Sequence, residues 1–377
     1  MPTRATKRGA ARTALDRDCD VLICGASFAG LAVARELAGS GARVLMVDRY
    51  EVGERATSAC AAPTEWLVNL GLDASVRQTF GQLVCHTPYR TFRLDLPFTF
   101  STFDYRELCA LLFDQGDAEF ETATVTQRRG DTVETDRGAL RAPLVVDALG
   151  WRRVLGPGAN VQPPEARLSR GLEVHPHGGG EDLEIWIDPR YIRAGYSWSF
   201  PAAGEQRVGV GSFDPRDHVK EPTVRLASDL EVDAVRYQGN WIPHQLRRAV
   251  EDDVFFAGDS AGHCLPLTAE GIRTALYFGL ACGRELRAVV EGRSDRDAAL
   301  RRYGAFSDAH EWKFRWLLRT QDLVSRVGRR RVMTTALRAI TAPRFVDWSF
   351  RHYLEIAPPA FALAGEAPPR PRAAVAA

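Results

Sequence analysis

Four short apolar runs punctuate the chain, at residues 21–24, 44–47, 144–149 and 254–257. Runs this short, bounded by turn residues, predict strands buried on both faces, as in a parallel sheet. Between the first two, residues 28–38 place an apolar side chain every three or four positions and predict a helix. Gly39, Ser40 and Gly41 end it. Together these segments predict a βαβ unit at the start of the fold. A strand is expected over 94–102 and a helix over 105–113. From 172 to 212 the texture changes to strict alternation: Leu183, Ile185, Ile187, then Tyr196, Trp198, Phe200, then Val208 and Val210. That period predicts an antiparallel sheet, inserted into the first domain as a second one. A long helix is expected over 269–290.

The pattern gives an α/β (α+β) chain built on a Rossmann-type nucleotide-binding domain with an inserted antiparallel-sheet substrate domain and C-terminal helices. The expected partition has a disordered basic arm over 1–17 and a discontinuous nucleotide-binding domain over 18–75, 100–165 and 235–300. The substrate sheet takes 76–99 and 166–234. A helical region covers 301–356 and a Pro- and Ala-rich tail 357–377.

Composition removes several alternatives. The 377 residues carry a net charge of +1, where a dedicated nucleic-acid binder is usually strongly basic. The seven cysteines are odd in number and contain no C-x-x-C pair, so neither a zinc site nor a disulfide scaffold is expected. A reducing cytoplasm suits them. No apolar run reaches the roughly 18–20 residues of a bilayer span. The basic N-terminal segment has no apolar core of the kind a secretory signal needs.

Two motifs carry the chemistry. The first βα turn reads Gly25-Ala26-Ser27-Phe28-Ala29-Gly30. Gly25 allows the tight turn and Gly30 lets the helix pack close to the strand. Ser27 replaces the middle glycine of the usual G-x-G-x-x-G, and its hydroxyl is a candidate phosphate ligand. The helix N-terminus offers unpaired N–H groups to a pyrophosphate. Asp48 ends the second strand, where a carboxylate accepts ribose hydroxyls, and Arg49 follows it. More than two hundred residues later comes Gly258-Asp259-Ser260-Ala261-Gly262-His263, then Pro266 and Gly271-Ile272 opening the long helix. There an acid is delivered by a buried strand, and a helix N-terminus follows a proline turn.

This second block resembles the G-D-[SA]-A-G…P…G-I-x-x-A motif of the para-hydroxybenzoate hydroxylase-like flavoproteins. The resemblance implies FAD as cofactor, with Gly258 among the residues that bind it, Asp259 on the ribityl chain, and Gly271 and Ile272 beside the isoalloxazine. There the helix dipole favours the anionic reduced flavin. Arg106 resembles the family's FAD-contacting arginine, although a solvated helix-cap residue would look the same. Gly195-Tyr196-Ser197-Trp198-Ser199-Phe200-Pro201 resembles the Y-x-W-x-F-P motif of the FAD-dependent geranylgeranyl reductases. Tyr196, Trp198 and Phe200 would then line an apolar substrate tunnel, where a plain hydrophobic sheet face is the alternative. Arg193 departs from that family's proline. Cys60 resembles the reductases' cysteine beside the flavin, with packing as the alternative role. Leu149 replaces the aspartate of the hydroxylases' Asp-Gly pair, and Asp-Ala-x-Gly is closer to reductases and halogenases.

The resemblance implies reduction of C=C bonds in an isoprenoid or other apolar substrate by hydride from reduced FAD. NAD(P)H or ferredoxin would be the external donor. A flavin monooxygenase or halogenase is the alternative, but Lys7, Lys220 and Lys313 are the only lysines, and none lies in the early FAD-domain segment where halogenases carry theirs. A redox-neutral flavin cyclase or isomerase and a flavin-binding protein without turnover also stay open. The C-terminal region is aromatic and basic, with Trp312, Phe314 and Trp316 preceding Arg329, Arg330 and Arg331. Such a segment suits peripheral contact with an anionic membrane, or a covering layer over the site.

Overall fold

The computed structural model describes residues 13–56, 60–157, 165–326 and 343–364. Its centre is a six-stranded sheet in the order Val250–Glu251, Val254–Phe256, Leu144–Asp147, Val21–Cys24, Val44–Asp48, Glu119–Thr122. All neighbours are parallel except the first pair. Val21–Cys24 is buried at every position, which explains its unbroken apolar run. Cys24 pairs with Asp147, and Asp147 with Phe256. The carboxyl ends of three central strands therefore lie side by side, with Asp48 at the end of the next. In open parallel sheets this edge is where ligands bind.

Helix Phe28–Leu37 packs against helix Ile272–Val290. A methyl at Gly279 would sit 2.6 Å from the Ala29 carbonyl oxygen, and one at Gly283 2.6 Å from Glu36 Cβ. Two glycines one turn apart thus let the two motif helices touch backbone to backbone. The long helix starts at Ile272 rather than 269, because Leu267 and Ala269 take left-handed φ values of 70° and 51°. The strand expected to reach 149 stops at Asp147, whose carboxylate accepts from the Leu149 N–H at 2.9 Å and turns the chain.

The second domain is an eight-stranded, mostly antiparallel sheet. Its order is Gln238–Pro243, Leu168–Val174, Gln206–Ser212, Gly195–Pro201, Leu183–Trp186, Val76–His86, Thr91–Phe103, Ala61–Pro63. One face buries Val208 and Val210 under helix Lys220–Asp229. The opposite face looks into the cleft described below.

Three expected boundaries move. Leu15 is buried at 3% exposure and Arg17–Asp18 pairs with Gly138–Arg141, so the chain joins the fold inside the expected arm. The substrate sheet continues past 234, because Gln238–Pro243 pairs along Leu168–Val174. The expected tail from 357 is structured as far as 364: Ala357 is buried, its carbonyl accepts from Trp66 Nε1 at 3.0 Å, and Pro359–Leu363 forms a 3-10 turn. A small sheet of Arg17–Asp18, Gly138–Arg141, Thr132–Thr135 and Val125–Arg129 was not anticipated, because its strands are short and polar. Arg329, Arg330 and Arg331 lie outside the described residues. No helix among the described residues is long and apolar enough to cross a membrane.

Candidate functional site

A cleft of about 1280 Å³ runs from the carboxyl edge of the parallel sheet to the inner face of the large sheet. At the nucleotide end, Gly25 takes φ 112°, and a methyl there would lie 2.2 Å from the Ala148 carbonyl oxygen. A methyl on Gly30 would lie 1.9 Å from the Gly25 carbonyl oxygen. Only glycine fits either position, so both shape the turn from behind and neither reaches the cleft surface. Ser27, Phe28 and Ala29 do line it. Ser27 caps the helix without a side-chain capping bond, and its Oγ lies 3.1 Å from the Tyr105 hydroxyl. The first-turn N–H groups are left facing the cleft.

Asp48 and Arg49 line the same end. The Asp48 carboxylate accepts from the Ala26 N–H at 2.8 Å and the Tyr50 N–H at 3.1 Å, which fixes its direction and leaves lone pairs for hydroxyls. Burial raises its pKa, partly offset by those N–H groups. Arg106 does not line the cleft; it is exposed on helix Tyr105–Asp114.

Across the cleft, Gly258, Asp259, Gly271 and Ile272 form the facing wall. Gly258 has φ 64°, and a methyl on it would meet Ala29 Cβ at 2.9 Å, so the two motifs touch here. Burial pushes the Asp259 carboxyl up to about 6, with Arg247 pulling the other way. Among the described residues no group donates a hydrogen bond to that carboxylate, although it lines a cavity. A half-buried acid without protein donors fits a ligand that brings hydroxyls. Ser260 instead donates to Asp147 at 2.6 Å, and Asp147 also takes the Leu155 N–H at 2.8 Å. That buried carboxylate ties three chain segments together behind the site. His263 belongs to the core: it stacks 3.7 Å from Phe278 and its Nε2 lies 3.1 Å from Ser307 Oγ.

The long helix is anchored at its first turn. Arg273 is fully buried. It bonds Glu270 at 2.9 Å and donates to the carbonyls of Tyr353 at 3.2 Å, Leu354 at 3.3 Å and Ala357 at 2.8 Å. Those carbonyls end the last helix, Pro343–Leu354, and begin the segment after it.

The middle and far end of the cleft are apolar. Tyr196, Trp198 and Phe200 all face it, while Ser197 and Ser199 point to the buried opposite face. Tyr196 donates its hydroxyl to the Thr268 carbonyl, linking the sheet to the proline turn. Cys60 also lines the cleft, at 1% exposure and φ 52°. Burial pushes its thiol up to about 12, so it holds its proton. All seven cysteines are buried and none forms a disulfide.

One group of residues at the site was not read from the sequence. It is a charged cluster that meets Trp198 at Glu173 and continues behind the cleft wall through His175, Glu205 and Arg207. Their spacing of two on neighbouring strands was the available signal. The rim comes from the aromatic C-terminal region, which the sequence offers as a membrane contact or a covering layer over the site. Trp312, Trp316 and Trp348 line the cleft and are 63%, 59% and 51% exposed, with Lys313 beside them.

Comparison with known proteins agrees with this geometry. The FAD binding domain family matches residues 18–82. Digeranylgeranylglycerophospholipid reductase 3 of Methanosphaera stadtmanae is 23% identical over 333 residues, covering 78% of this chain and 83% of that protein. A geranylgeranyl bacteriochlorophyll reductase-like protein from Thermoplasma acidophilum superposes with a TM-score of 0.75 at 16% identity, over 93% of this chain and 98% of that one. A probable FAD-dependent monooxygenase from Pseudomonas aeruginosa gives 0.61 at 19% identity, over 89% and 100%. The structural likenesses establish the flavoprotein fold expected from the sequence.

Proposed function

We propose that this chain, an FAD-dependent oxidoreductase with geranylgeranyl reductases among its relatives, reduces C=C bonds of an isoprenoid or similar apolar chain. The observation that carries the reading is the continuity of the cleft. One cavity joins the candidate cofactor wall to a floor of three aromatic rings, a buried protonated thiol and a tryptophan rim open to the surface. A long apolar molecule fits such a cavity, whereas a small polar one would leave most of the wall dry and uncontacted.

The residues that would hold FAD are the Gly25–Gly30 turn with Ser27, Phe28 and Ala29, then Asp48, Arg49, Gly258, Asp259, Gly271 and Ile272. Bound and reduced, FAD supplies hydride to an alkene. The protein's part is orientation and dryness. Tyr196, Trp198 and Phe200 hold the chain against the sheet. Cys60 Sγ keeps a proton at any physiological pH, so its role is to place the alkene and act as proton donor rather than as a nucleophile. The electron donor is external, NAD(P)H or a ferredoxin.

The rim adds a location. Exposed tryptophans beside Lys313, Arg315 and Arg319 on helix Glu311–Arg326 suit the headgroup layer of an anionic bilayer, from which an apolar substrate enters the cleft directly. The chain would work at the cytoplasmic surface of a membrane.

The test is anaerobic. Flavin-loaded protein is reduced and then given geranylgeraniol and other polyprenyl alcohols, and products are weighed by mass spectrometry. A gain of two daltons per reduced bond is expected. Untouched alkenes there, together with rapid oxygen consumption and an oxygenated product when the same reduced protein is mixed with air and substrate, would overturn the reading in favour of a monooxygenase.

A further inference from the structure

The ring floor is held by residues outside the aromatic motif. Trp198 stands directly opposite Gly209 on the next strand, and Gly209 directly opposite Glu173 on the one beyond. One row across three strands therefore reads tryptophan, glycine, glutamate. A methyl on Gly209 would lie 2.3 Å from the indole and 2.8 Å from Glu173 Cβ. Methyls on Gly211 and Gly171 would lie 3.3 Å and 3.8 Å from the same indole. The three glycines leave a bare strip, and the indole lies flat along it.

Lying flat brings the indole Nε1–H to Glu173 Oε2 at 3.1 Å. The other Glu173 oxygen meets His175 Nε2 at 2.8 Å, and His175 Nδ1 meets Glu205 Oε1 at 3.1 Å. Glu205 is also paired with Arg207 Nε at 3.1 Å and with Arg236 at 3.2 Å. The two terminal nitrogens of Arg207 donate to the carbonyls of Cys60 at 3.1 Å and Phe103 at 3.0 Å. His175, Glu173 and Arg207 are all buried. The chain of bonds runs from the indole of the floor to the backbone of the cleft cysteine.

Each ring nitrogen of His175 faces a carboxylate oxygen. A neutral imidazole has one N–H and would set a lone pair against one of them, whereas the imidazolium donates to both. Burial opposes the charge, but the two glutamates outweigh it and bring the pKa to about 9. Arg207, Arg236 and Arg77 also lie near the cluster, with Asp104 behind it.

We propose that His175, held as an imidazolium between Glu173 and Glu205, is a positioning residue that keeps the Trp198 indole flat on the cleft floor and couples it to Cys60 through Arg207. Its effect on turnover rests on the reading that this floor carries the apolar substrate. Its effect on the indole does not.

The experiment uses flavin-loaded His175→Gln, Trp198→Phe and the double variant. The first readout is near-ultraviolet circular dichroism, where an immobilised indole gives a band. The signal lost in Trp198→Phe should also be lost in His175→Gln, and wild type should lose it as pH rises through about 9. The second readout is KM for geranylgeraniol, expected to rise about tenfold in each single variant and no further in the double. If His175→Gln does not retain flavin, Glu205→Gln replaces it: it removes the second carboxylate facing the imidazole without touching the glycine strip, and should lose the same band. An unchanged indole band in these variants, or additive effects in the double, overturns the proposal. Loss of the band in protein that reduces no alkene upholds the positioning role and refutes the substrate reading alone.

Discussion

Gly30→Ala is the sharpest test of the nucleotide turn. The added methyl would lie 1.9 Å from the Gly25 carbonyl oxygen, a backbone atom that no rotamer change can move aside. The shortest comfortable C···O contact is about 3.3 Å, so the start of helix Phe28–Leu37 must retreat by roughly 1.4 Å. That retreat carries the first-turn N–H groups away from the pyrophosphate position. A displacement near 1 Å at a positioned group commonly costs about a hundredfold, so the FAD dissociation constant should rise by at least that, ~2.7 kcal/mol. The control is Gly39→Ala. Gly39 has φ 71° with nothing within 4 Å of the added methyl, so it bears only backbone strain of about 1 kcal/mol and should bind FAD normally. The assay is titration of apoprotein with FAD, followed by quenching of flavin fluorescence. Equal affinity in wild type and Gly30→Ala would refute the placement of the cofactor at this turn.

Three further outcomes are expected. Ser260→Ala removes a 2.6 Å bond to the buried Asp147 carboxylate and should lower unfolding stability by about 2 kcal/mol, read from the thermal midpoint of the holoprotein. Stability of the His175 cluster should depend on pH from both sides. The histidine is raised from 6.5 to about 9, so its contribution is complete below 6.5 and lost as pH rises through 9. Glu205 is lowered from 4.5 to about 2, so its contribution is complete above 4.5 and lost as pH falls through 2. Denaturant midpoints in wild type should therefore fall between pH 6.5 and 9 more steeply than in His175→Gln. Replacing Trp312 and Trp316 by serine should cut sedimentation with phosphatidylserine vesicles about tenfold and leave flavin content unchanged.

Much of the fold is legible because burial on two faces leaves a plain mark. Val21–Cys24, Val44–Asp48 and Val254–Phe256 are near-unbroken apolar runs, and they pair as the parallel sheet. The alternation at Tyr196, Trp198 and Phe200 likewise reports which face meets the cleft. Strand Thr132–Thr135 left no such mark, since it packs only Val133 and leaves its other side chains half-exposed. The clamp around His175 was hidden for a different reason. Charged residues at spacing two read as a solvated face, and only the cross-strand register shows that Glu173 shares a row with Trp198. Arg106 shows the converse: a residue type at an expected place in the chain, carried by its helix out to solvent.

Arg273 links two parts of the molecule that chain order keeps apart. It sits two residues after Gly271, where the flavin ring is expected, yet its guanidinium is spent entirely on Glu270 and on the backbone that closes the C-terminal helix. Shortening the chain at residue 342 would strip this buried cation of three of its acceptors without removing one atom of the glycine turn or of Asp259. The wound would open beside Gly271, so the far terminus acts as a keystone for the pocket rather than only as its cover.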